Sequence, residues 1–141
     1  MRTMPLQPAY MYRQSGVVPF RYGDGGLEVL LVRNRNDTKW ICPKGVVDKG
    51  MTEAQAAANE AREEAGVLGD VYPDRLGNYQ QKKWGGVCTI NMYPMSVTQV
   101  LNNWLEANLR KRAWFPFEEA SDVCDRAIKD IIAALPEAVG G

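Results

Sequence analysis

Glu60, Glu63 and Glu64 stand at positions i, i+3 and i+4. On a helix of about 3.6 residues per turn their side chains fall within an arc of about 100°. Three carboxylates on one face repel one another, so the arrangement is costly unless a cation sits among them. Oxygen donors in that number suit a hard divalent ion, Mg²⁺ or Mn²⁺, rather than zinc. An isolated glutamate triplet also reads as an ordinary solvated face, and its context must decide between the two. The rest of the composition narrows the chemistry. Histidine is absent, which removes Ser-His-Asp and Cys-His nucleophilic sites, His-ligated zinc and imidazole proton shuttles. The three cysteines, Cys42, Cys88 and Cys124, form no CxxC pair and read as reduced thiols.

The elements that must hold this triplet follow from periodicity. Thr52 with Gln55 three residues later has the spacing of a capping box, and Gly66 supplies a stop, so a helix is expected between them. Ala54, Ala57, Ala58, Ala61 and Ala65 recur along it at helical spacing, a face of methyl groups that allows close approach to a sheet. Upstream, Arg13–Tyr22 and Leu27–Arg35 read as strands joined by Gly23-Asp24-Gly25-Gly26, a tight hairpin. Lys39–Cys42 is a short strand ended by Pro43, after which Gly45 and Gly50 bracket a loop. Downstream, residues 71–80 and 86–100 are predicted strands joined through Lys82-Lys83-Trp84-Gly85, and residues 110–117 another. A second amphipathic helix is expected over residues 118–135, stopped by Pro136.

With 141 residues, 45% of them hydrophobic, the chain can bury one core, and a single domain over residues 13–135 is expected, with an extension at 1–12 and a tail at 136–141. Seventeen basic and seventeen acidic side chains cancel, so no net field draws nucleic acid or an acidic membrane. The opening MRTMPLQPAYMYRQSG has no apolar core behind a basic head, and no apolar run approaches the roughly 18 residues of a spanning helix. A cytoplasmic protein is the expectation, without a membrane partner. Gly45 and Gly50 have the four-residue gap of a P-loop, but Met51 occupies the lysine position and that motif fails.

Gly45, Glu60, Ala61, Glu63, Glu64, Gly66 and Val67 together resemble the 23-position Nudix hydrolase box, G-x5-E-x7-R-E-U-x-E-E-x-G-U, where U is a bulky or aliphatic residue. Trp40, Pro43-Lys44-Gly45, Arg110-Lys111-Arg112, Ala113-Trp114-Phe115 and Phe117-Glu118-Glu119-Ala120 look most like the branch with diphosphoinositol polyphosphate and diadenosine polyphosphate phosphohydrolases. Two positions depart from the pattern: Met51 stands where the first Glu belongs and Asn59 where the Arg belongs. In the family those two tend to pair. Losing one alone would strand a charge at a cost of about 3–5 kcal/mol, so the two changes read as one coupled replacement.

The resemblance implies an α/β fold, the Nudix α/β/α sandwich with a mixed, curved sheet between helices. It implies a pyrophosphohydrolase using Mg²⁺ or Mn²⁺ held by Glu60, Glu63, Glu64 and the carbonyl of Gly45, with water attacking a phosphoanhydride of a nucleoside polyphosphate or a related diphosphate such as a diadenosine polyphosphate. Glu63 or Glu64 is the favoured base. No Asp or Glu occurs between Arg75 and Leu105, so Glu106, Glu118 and Glu119 are the alternatives. Arg13, Lys44, Lys82, Lys83, Arg110 and Arg112 are expected to receive the phosphates. A small-molecule substrate is expected, with the protein a monomer or homodimer. An RNA 5′-pyrophosphohydrolase and a nucleotide sensor weakened by Met51 and Asn59 are the rival readings.

Overall fold

A computed structural model describes residues 6–140; residues 1–5 of the expected extension and Gly141 of the expected tail lie outside them. Alternation along β1 (Arg13–Gly23) sets the architecture. Val17 faces one apolar cluster and Val18 and Phe20 face the other, as period-two side-chain geometry requires. β1 lies at the centre of a mixed eight-stranded sheet. It pairs antiparallel with β2 (Gly26–Arg33), Phe20 opposite Val29, and parallel with β7 (Gly86–Val100), Arg13 opposite Thr89. β3 (Trp40–Ile41) and β8 (Arg112–Pro116) pair with β2. β5 (Val67–Val71) and β6 (Gly77–Lys83) pair with β7.

The α1 helix (Glu53–Glu60) covers one face. Its Ala57, and Ala61 and Ala65 just beyond, meet Val17, Leu30, Val32 and Met95. Helices α2 (Phe117–Val123), α3 (Lys129–Ala133) and α4 (Leu135–Ala138) cover the other face, where Ala120, Ile128, Ile132 and Leu135 meet Val18, Leu31, Ile90 and Met92. This is the expected α/β/α sandwich. No helix among the described residues is long and apolar enough to cross a membrane.

Three expectations are corrected. The strand expected over 71–80 forms only from Gly77, as β6; Val71 instead ends β5, which was not expected, and residues 72–76 part the two, where Pro73 can give no ladder hydrogen bond. The glycine-bracketed loop after Pro43 begins with a three-residue strand, β4 (Lys44–Val46), too short to show a period, which pairs with β1 as Ser15 opposite Gly45. The long second helix is broken between α2 and α3, where Cys124 and Asp125 are extended. Pro136 does not stop it. Pro136 lies in the first turn of α4, where its missing N–H is not needed.

Candidate active site

The glutamate helix is held at both ends. Thr52 Oγ1 accepts from the Gln55 N–H at 3.1 Å and Gln55 Oε1 accepts from the Thr52 N–H at 2.9 Å, the reciprocal capping the sequence predicts. At the other end Gly66 adopts φ 65°, a left-handed cap that costs glycine little. Arg112 braces this end: its guanidinium donates to the carbonyls of Ala65, Gly66 and Leu101 at 2.9, 3.2 and 2.6 Å and stacks on Trp104 at 3.8 Å.

Between these anchors the helix changes pitch. Ala61–Ala65 form a wide π turn, closed by the Gly66 N–H reaching the Ala61 carbonyl. Such turns occur often at functional sites. A wider turn advances less per residue than a regular one, which shifts the angles among Glu60, Glu63 and Glu64 from those of an α-helix. Glu60 and Glu64 line one cleft, of about 520 Å³, and Glu63 lines a neighbouring cavity with Arg62, Leu101, Trp104 and Leu105.

Glu64 is buried and fixed by the Lys44 N–H on β4, which donates to its Oε1 at 3.2 Å. The Glu60 carboxylate lies in contact with Gly45, in the space a side chain there would fill. Glu106 enters the same cleft from the loop before β8. Arg110 Nε donates to Glu106 Oε1 at 3.0 Å and its Nη2 lies 3.8 Å from Glu64 Oε2. Burial first, then the charges of Glu64, Glu63 and Glu106, push the Glu60 carboxyl up to about 8. Glu64 is also raised, because burial outweighs the Arg110 cation and the Lys44 hydrogen bond. The pair therefore retains a proton at neutral pH. Among the described residues no three acidic or cysteine side chains already converge as a finished cation cage. The donor chemistry nevertheless fits a hard divalent ion: two adjacent desolvated carboxylates beside the Gly45 backbone, with a third carboxylate, Glu106, lining the same cleft.

The predicted phosphate-binding cations divide. Lys44, Lys83 and Arg110 line the cleft, joined by Arg35, which the sequence reading missed. Burial and the nearby Lys83 charge lower the Lys44 pKa. Lys82 lines a second hollow at the tip of the β6–β7 hairpin. Arg13 pairs with Glu53 Oε2 at 2.7 Å, on the face of β1 opposite Gln14. Arg112 is engaged with backbone carbonyls as described. Glu53 also accepts from Asn91 at 2.9 Å and Tyr93 at 2.7 Å. Burial raises its pKa, but the bonds from Tyr93, Arg13 and Asn91 prevail and hold it below the usual value. Glu118 and Glu119 open α2. Met51 and Asn59 face each other, Asn59 Nδ2 lying 4.0 Å from Met51 Sδ. Gln14 in the cleft wall was also missed. A glutamine at an inward position of a strand whose next such residues are Gly16, Val18 and Phe20 was the available signal.

The chain is 35% identical over 128 residues to "Nudix hydrolase 16, mitochondrial" of Arabidopsis thaliana, covering 78% of this chain and 71% of that protein. It is 37% identical over 99 residues to diphosphoinositol polyphosphate phosphohydrolase 2 of Rattus norvegicus, 68% of this chain and 54% of that protein. In structure it matches the C. elegans Ap4A hydrolase binary complex with a TM-score of 0.72 at 23% identity, over 92% of this chain and 98% of that one. The NUDIX domain profile matches residues 11–135, nearly the whole described chain, and the protein belongs to the Nudix hydrolase family.

Proposed function

We propose that the protein hydrolyses a phosphoanhydride in a nucleoside polyphosphate or related diphosphate-linked molecule, such as a diadenosine polyphosphate, with Mg²⁺ or Mn²⁺. The observation that carries this reading is one cleft lined by Glu60, Glu64 and Glu106 together with Lys44, Lys83 and Arg35. Acidic groups that can gather a cation stand within one small space of basic groups that can receive phosphate oxygens. The similarity to the diphosphoinositol polyphosphate phosphohydrolase supports the same class of linkage.

Glu60 and Glu64, with the Gly45 backbone, would hold the divalent ion. When bound, that ion neutralises phosphate oxygens and acidifies water. Lys44, Lys83 and Arg35 orient the polyphosphate so that one phosphorus faces the carboxylates, supplying charge stabilisation that is already in place. Arg110, itself in the cleft wall, holds Glu106 and Glu64 in position. The proton of the attacking water passes to a cleft carboxylate, Glu64 or Glu106, once the pair's own proton has left. Glu63 lines the neighbouring cavity and, in this reading, shapes the turn rather than taking the proton.

The test is phosphate release from a panel of diadenosine polyphosphates, nucleoside diphosphate derivatives, inositol pyrophosphates and 5′-triphosphorylated RNA, with and without Mg²⁺ or Mn²⁺. Metal-dependent turnover of a small diphosphate is expected. Tight binding of one compound with no turnover of any would instead favour a sensor, and preference for the RNA would overturn the small-molecule assignment.

A further inference from the structure

Gln14 is 2% exposed, deep in the wall of the cleft near Lys44, Lys83 and Trp84. Its Nε2 donates to Cys88 Sγ at 3.6 Å, a weak acceptor. Its Oε1 is the one buried side-chain oxygen or nitrogen that finds no hydrogen-bond partner among the described residues. Leaving a buried carbonyl oxygen unpaired costs stability, whereas a methionine of similar length would fill the space without that cost. An orphaned acceptor in a ligand cleft points to a donor on the ligand.

The neighbouring chemistry identifies the kind of donor. Lys44, Lys83 and Arg35 are themselves donors and suit phosphate oxygens. A phosphate at neutral pH has almost no proton to offer an amide oxygen. The partner must therefore be a neutral O–H or N–H on the organic group that carries the phosphates.

We propose that Gln14 Oε1 accepts a hydrogen bond from a sugar hydroxyl or the exocyclic amine of a base, making it a specificity-determining residue that selects nucleotides over bare polyphosphate. This deepens the phosphoanhydride reading above and rests on it for the location of the ligand. The strand geometry favours such a role. Gln14 is opposite Val46, one residue from Gly45, so the acceptor is tied by backbone pairing to the segment against which Glu60 packs.

The experiment uses the full chain, wild type and Q14M, with Q14L as a second variant that removes the same oxygen. Binding of the α,β-methylene analogues of ADP, 2′-deoxy-ADP, 3′-deoxy-ADP and IDP, and of methylenebisphosphonate, is measured by calorimetry with Mg²⁺, alongside Tm. Q14M should bind the ADP analogue about tenfold more weakly, bind methylenebisphosphonate within twofold of wild type, and melt no lower. The analogue that lacks the relevant donor should bind wild type and Q14M alike: a deoxy form if the partner is a hydroxyl, the IDP form if it is the amine. Equal binding of the ADP analogue by wild type and both variants would overturn the role of Gln14 and leave the phosphoanhydride reading intact. Equal weakening of every ligand, methylenebisphosphonate included, with a lower Tm in both variants would show a packing role and overturn it too. If wild type bound the ADP analogue no tighter than methylenebisphosphonate, nucleotide selection itself would be overturned, while phosphoanhydride hydrolysis of another substrate would still stand.

Discussion

Raising the pH from 6 to 8 should tighten Mn²⁺ binding markedly, because the ion must displace the proton shared by Glu60 and Glu64. With the Glu60 carboxyl pushed up to about 8, the deprotonated fraction rises steeply over that interval. A single displaced proton corresponds to about a fiftyfold gain in apparent affinity, reduced to about ten- to fiftyfold because solvent reaches half-buried Glu60. Titration calorimetry at pH 7 in two buffers of different ionisation enthalpy counts the protons directly, and about one per bound ion is expected. E60Q should bind Mn²⁺ more weakly and lose most of the pH slope. The metal-free protein should show the complementary effect. A carboxyl whose folded pKa lies above its unfolded value keeps its full contribution below about pH 4.5 and costs stability as pH rises towards 8. About 1–2 kcal/mol should therefore be lost across that window after allowing for solvent screening, and E60Q should flatten the curve. A flat affinity from pH 6 to 8 with no proton released, or an E60Q protein that binds Mn²⁺ like wild type, would refute the reasoning.

In G45A the new methyl group would meet the Glu60 carboxylate, so Mn²⁺ affinity and turnover should fall about a hundredfold while circular dichroism stays native. E64Q should reduce kcat by about 10²–10⁴-fold, as loss of a base or an ion-holding group does. E63Q should cost less than about tenfold, and a matching collapse would bring Glu63 into the reaction. R112A should lower stability by about 2–3 kcal/mol through the lost carbonyl partners and leave KM unchanged; a raised KM with unchanged Tm would restore the phosphate-binding role expected from sequence. M51E alone should lower Tm, with M51E/N59R recovering it, and additive single effects would show that the two positions are not coupled.

Much of the scaffold was legible because its signals were local. The Gly23–Gly26 turn, the Thr52–Gln55 cap and the Gly66 stop each depend on a few adjacent side chains, and of the expected alanine stripe Ala57, Ala61 and Ala65 lie against the sheet while Ala54 and Ala58 stay half-buried. What escaped was set by distant partners. β4 exists because β1 offers it a ladder, and three residues carry no period of their own. The second helix was broken by the pairing of Trp40 with Cys124 across the fold. At the site, the spacing of Glu60, Glu63 and Glu64 was readable but the local pitch was not: a π turn runs through Ala61–Ala65, and Glu63 lines a neighbouring cavity while its charge still acts on Glu60. Arg110 and Arg112, two residues apart, look alike in sequence. Their partners differ because one follows the Glu106 loop and the other opens β8.

The hairpin tip at Trp84-Gly85 has both residues at positive φ, 53° and 71°. The Trp84 carbonyl accepts from the Tyr12 hydroxyl and from the Leu6 N–H, which fastens the beginning of the described chain to the turn that carries Lys83. Whatever pulls on that leading segment is thus mechanically linked to the basic wall of the cleft. A change at Leu6 or Tyr12 therefore reaches, through a single carbonyl, the turn on which Lys83 stands.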